Sequence, residues 1–89
     1  MNREAAEDMA IKGLSFLAGD DERLSRFLAL SGLDAVHLRQ AAAEPGFLAG
    51  VMAYLASDEG LLLAFAAQIG AAPEEVGAAC GLLAGPGFD

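Results

Sequence analysis

The chain has no threonine and no tryptophan, little valine or isoleucine, and no lysine or arginine after Arg39. Strands draw on β-branched and aromatic residues, so this shortage argues against a sheet. The five basic residues, Arg3, Lys12, Arg23, Arg26 and Arg39, stand against 13 acids, for a net charge of -8. A phosphate backbone would be repelled, since nucleic-acid affinity rests on Lys and Arg neutralising phosphates. Anionic membrane surfaces are disfavoured for the same reason. Cys80 is the single cysteine, which excludes an intrachain disulfide framework. The uncharged run Pro45 to Ser57 is too short to span a bilayer and contains Gly46 and Gly50. The start, Met-Asn-Arg-Glu-Ala-Ala-Glu-Asp, is acidic and has no leading apolar segment, so no secretory signal and a cytoplasmic location are expected.

What is present is Ala, Leu and Gly. Hydrophobic residues make up 55% of the 89, which excludes disorder and, with so much Ala and Leu, favours helices. The length fits one domain over 1–89. A chain this size buries only about 60–65% of its unfolded surface, so stability that is marginal or shared with a partner is expected.

Helical spacing predicts six elements. A first helix over about 3–18 carries Ala6, Met9, Ala10, Gly13, Leu14, Phe16 and Leu17 on its apolar side, an Asp8–Lys12 pair on its wet side, and Gly19 as its stop. Gly13 costs roughly 1 kcal/mol against Ala in a helix interior, which points to close approach of another helix there. A second helix starts at Asp20, with Leu24, Phe27, Leu28 and Ser31 on one face, Arg23 and Arg26 on the other, and Gly32 at its end. A third, capped by Asp34 and stopped by Pro45, occupies 34–43. A fourth shows Leu48, Val51, Met52 and Leu55 at i, i+3, i+4, i+7. Ser57 or Asp58 caps a fifth that runs to Gly70 and is apolar nearly all round. A sixth begins at Pro73, has Glu74 and Glu75 in its first turn, presents Val76, Ala79, Cys80 and Leu83, and closes at Pro86-Gly87.

Phe16 to Gly32 aligns without a gap on Tyr54 to Gly70 at an offset of 38, and the aligned copies share Leu, Ala, Asp, Leu, Phe, Ala and Gly at matched places. The expected fold class is therefore all-α: a bundle of five to six short helices built as a three-helix pseudo-repeat, 3–43 and 45–84, with two units packed face to face to supply one core. The copies part where Arg23 and Arg26 become Leu61 and Ala64.

The segments Leu17-Ala-Gly-Asp-Asp-Glu-Arg-Leu-Ser-Arg-Phe-Leu-Ala-Leu-Ser-Gly-Leu-Asp, Leu38-Arg, Pro45-Gly-Phe-Leu-Ala and Leu62-Leu-Ala-Phe-Ala, in this order, resemble a family of short alphaproteobacterial proteins known as domain of unknown function 3572. The likeness spans about residues 9–84. It implies a small, mainly helical single-domain protein and offers no catalytic or ligand residues to carry over.

No catalytic motif, metal-ligand spacing or nucleotide loop stands in the chain, so no enzyme activity, cofactor or metal is expected. Asp20-Asp21-Glu22 and Asp58-Glu59 lack the alternating oxygens of a calcium loop and read as helix starts. His37, the only histidine, reads as a surface residue rather than an acid or base, and Cys80, with no cation near it in sequence, as an inert core thiol. The leading functional reading is an acidic interaction module for a protein partner, including a second copy of itself. Its surface would be drawn from Leu61, Leu63, Phe65, Ile69 and Tyr54 unless the fifth helix is central and enclosed, as the contrast with its amphipathic counterpart suggests. The alternative is a helix-turn-helix-like nucleic-acid reader with Ala35, His37, Arg39 and Gln40 on the helix at 34–43, opposed by the acidic charge and by Leu28 at a position that needs a small residue. The remaining alternative is a small-molecule site in the cleft between the units, near Tyr54, Gly50 and His37.

Overall fold

Among the described residues six helices follow one another with short turns: α1 Arg3–Ala18, α2 Asp21–Ser31, α3 Leu38–Ala42, α4 Phe47–Ala56, α5 Glu59–Ile69 and α6 Pro73–Ala84. The computed structural model describes residues 2–34, 36–44 and 46–84, which include no strand. The predicted stops at Pro45 and Pro86-Gly87, and the predicted base-reading position Ala35, lie outside the described residues.

The boundaries have local causes. The Asn2 side chain accepts from the Ala5 N–H and caps α1, a start that the sequence reading passes over. Asp20 and Asp58 sit in nearly the same extended conformation, φ -135 and -131, and each carboxylate accepts amides of the helix it opens. Gly32 and Gly70 end α2 and α5 in the left-handed region, φ 74 and 70. Beyond them the Leu33 and Ala71 N–H groups close back on the carbonyls of Leu28 and Ala66 at 2.9 Å, the bond that satisfies a free helix end. The Glu75 carboxylate reaches back to the Ala72 N–H at 2.8 Å in front of Pro73. On α1 the ion pair is Arg3–Glu7 at 3.6 Å, not the predicted Asp8–Lys12.

The core lies where α1, α4 and α6 meet. Leu17, Val51, Met52, Leu55, Phe65, Val76 and Ala79 have no exposed surface. Gly13 faces this junction. A Cβ placed there would lie 2.7 Å from Leu55 Cδ1 and 3.4 Å from Val51 Cγ1. The predicted close approach of another helix is thus made by α4.

Two expectations are corrected. The third helix does not occupy 34–43. The Asp34 carboxylate accepts from the His37 N–H at 2.9 Å and closes a turn, so helix begins only at Leu38 and lasts five residues. The fifth helix is not enclosed. α5 buries Phe65 and Ala66, leaves Leu61, Leu62 and Ile69 half-buried, and turns Leu63 outward at 47% exposure. The most deeply packed partner of α1 and α6 in the second half is α4.

The Gly13 contact yields a paired prediction. Gly13→Ala will lower unfolding free energy by about 0–2 kcal/mol, the cost of pushing the buried Leu55 methyl aside less the gain in helix propensity. Gly77→Ala, where a Cβ meets nothing within 4 Å, will raise it by about 0.5–1 kcal/mol through helix propensity. Urea melts of the two variants beside the parent chain measure both; equal effects would contradict this packing.

Candidate functional site

The aromatic residues organise the surface as well as the core. Phe16, at the end of α1, packs on Phe65 of α5 with ring centroids 5.4 Å apart. Tyr54, at the end of α4, packs on Phe27 of α2 at 5.2 Å. Positions 38 apart in sequence therefore exchange partners between the halves of the chain. Tilted and edge-on rings at these distances are the favoured arrangements. The third helices break this equivalence. α3 has five residues and packs against α4, whereas α6 has twelve and packs against α1, α4 and α5.

Two cavities flank Tyr54, and it lines both. The first, about 380 Å³, lies between the starts of α2 and α5 and is walled by Asp20, Glu22, Arg23, Arg26, Asp58 and Leu61. The divergence at Arg23/Leu61 therefore falls inside it. The Asp20 carboxylate is occupied by the N–H groups of Glu22 and Arg23, at 3.0 and 3.2 Å. That of Asp58 takes the Leu61 N–H at 3.1 Å. Arg23 lies over the Phe16 ring, 4.6 Å from its centroid, a cation–π contact that holds the guanidinium in place. Neither Arg23 nor Arg26 makes an ion pair among the described residues.

The second cavity, about 280 Å³, is an apolar groove between α2 and α4, lined by Phe27, Leu30, Leu33, Phe47 and Gly50. Phe47 meets Phe27 edge-on at 6.3 Å and forms part of the floor. Gly50 has open space where a Cβ would stand. Leu30 is 72% exposed at the lip. Sequence reasoning places Tyr54 beside Gly50 but misses Leu30, Leu33 and Phe47. Leu30 follows Arg23 and Arg26 at i+7 and i+4 on the outer side of α2, and an apolar residue continuing a charged stripe is the signal that could have found it.

The structure does not assemble the surface predicted on α5. Phe65 is wholly buried against Phe16. Leu61 joins Tyr54 in the polar cavity. Leu63 points outward, two residues and slightly more than a half-turn from Leu61, and Ile69 is half-buried. Cys80 is also half-buried, packed beside the core rather than within it. Among the described residues no three His, Cys, Asp or Glu side chains stand together as metal ligands.

His37, Arg39 and Gln40 are exposed, but they do not share a recognition helix. His37 precedes α3, and Arg39 and Gln40 sit on its five residues. The His37 ring Nδ1 stands 2.7 Å from the Asp34 carboxylate. Both groups are exposed and line neither cavity above, and their contact holds the turn before α3. No single helix among the described residues is long and apolar enough to cross a membrane; α4 and α5, which would have the composition together, bend by 110° at their junction.

A protein-family model described as "Protein of unknown function (DUF3572)" matches residues 3–86. No curated protein and no solved structure matches the chain.

The Asp34 turn is testable by titration. The His37 backbone N–H, and then its ring, hold the Asp34 carboxyl below its ordinary value. A depressed carboxyl stabilises the turn above its unfolded-state pKa, and that support fades as pH falls through the folded one. Carbon-detected NMR will show the Asp34 midpoint moving upward in His37→Ala; an unmoved midpoint would contradict the contact.

Proposed function

We propose that this chain, which belongs to the DUF3572 family, is a small protein-binding module without catalytic activity that takes an apolar segment of a partner into the groove between α2 and α4. The observation that carries this reading is the groove itself: apolar walls of Phe27, Leu33 and Phe47, a gap at Gly50, and an exposed Leu30 at the lip. Exposed apolar surface of this kind is retained where something covers it. Recognition of an amphipathic helix by a hydrophobic groove is the mode that fits an open channel beside a helix. The acidic, Lys- and Arg-poor second half gives no purchase on phosphate or on anionic lipid, and we place the module in the cytoplasm. Reading 34–43 as a nucleic-acid helix loses support with the helix, since five residues give too short a rod to follow a major groove. An enclosed small-molecule site would bury most of its ligand, and both cavities beside Tyr54 lie open along the surface.

Site-specific photocrosslinking in living cells tests the proposal. A photoreactive side chain at Leu30 is expected to yield a protein adduct that disappears when Gly50→Leu fills the groove in the same chain. A photoreactive side chain at Leu63 is expected to yield none. Adducts from position 63 and not from position 30 would overturn it.

A further inference from the structure

We infer that the partner segment is an amphipathic helix carrying a carboxylate four or seven positions from its apolar anchor, so that the anchor fills the groove while the carboxylate meets Arg26 and Arg23. This rests on the groove reading and adds the chemistry and spacing of the partner.

The apolar groove and the polar cavity are neighbours on α2, joined by Tyr54, which lines both. Arg23, Arg26 and Leu30 fall at i, i+3 and i+7 on that helix. At 1.5 Å per residue, Leu30 lies about 6 Å from Arg26 and about 10.5 Å from Arg23 along the axis. A helix laid alongside α2 meets these positions with residues four and seven apart.

The acids nearest the two arginines are already engaged elsewhere or exposed. The chain carries 13 Asp and Glu against five Lys and Arg, and three acids wall the same cavity as the two arginines. Yet neither arginine is ion-paired among the described residues. Asp20 and Asp58 are turned onto helix N–H groups instead. Arg23 is held by the Phe16 ring, a contact that leaves its guanidinium edge free to take a carboxylate in a two-pronged bond. Arg23, held over the Phe16 ring, and the exposed Arg26 one turn on, at one end of an apolar groove, complement a segment with an acid at the matching end. The second half of the chain, with no Lys or Arg, provides no competing site for an acidic partner.

Panning a displayed library of helical peptides, each with one randomised face, against the full chain tests this, with the Gly50→Leu chain as competitor. Enriched peptides are expected to carry Leu, Phe or Trp with Asp or Glu four or seven positions away. Arg26→Glu should weaken them tenfold or more, and exchanging the peptide acid for Lys should restore binding to that variant. Circular dichroism and thermal melts establish that both variants remain folded. Enriched anchors without acids, bound equally by Arg26→Glu, would overturn the charge inference and leave the groove reading standing. Peptides that bind Gly50→Leu as well as the parent, or no enrichment at all, would overturn both. A dimer seen by light scattering and lost in Gly50→Leu would make a second copy the occupant and overturn the inference, as would stabilisation by decanoate with no peptide bound.

Discussion

The fold depends on the missing Cβ of residue 13. Leu55 of α4 occupies the space that a side chain there would need, with Val51 behind it. That contact sets how deeply α4 sits against α1, and α4 in turn presents Val51, Met52 and Leu55 to a core it shares with α6. Val51, Met52, Leu55, Val76 and Ala79 are all packed without exposed surface in that shared core. Small changes in helix separation therefore reach every buried residue. The glycine costs helix propensity locally and returns it as packing.

The same spacing leaves α2 on the margin. Phe27 inserts between Phe47 and Tyr54, and the rest of α2 stands clear of α4 far enough to leave the groove. The two halves use similar parts, an aspartate cap, a buried Phe and a left-handed glycine, but finish them differently. In the second half, α6 packs against α5 and α1. In the first, α3 is one short turn, and nothing in the described residues fills the place beside α2 that a longer helix would take. The open groove follows from that asymmetry.

Much of this was legible in the residues. The caps at Asp20 and Asp58, the stops at Gly32 and Gly70, the Pro73 start and the close approach at Gly13 are local or pairwise facts with strong chemical signatures. Three things were not. Asp34 is an equally good cap for a helix and for a turn, and only the His37 contact decides between them. The enclosure of α5 is a global property: a run such as Leu61-Leu62-Leu63 records hydrophobicity but not the thickness of the molecule around it. Phe65 was misplaced as surface for the same reason. The groove was half visible, through Tyr54 and Gly50, but Leu30, Leu33 and Phe47 come to it from separate elements whose crossing no periodicity records.

The central claim is that the surface between α2 and α4 is the one that meets another protein. Amide NMR of the labelled chain, titrated with a captured partner segment, tests it most directly. The largest shifts are expected on Phe27, Leu30, Leu33, Phe47, Gly50 and Tyr54, with smaller ones at Arg23 and Arg26. Shifts centred on Leu63 or on the outer face of α6 at Gly77 and Gly81, with the groove unmoved, would contradict it.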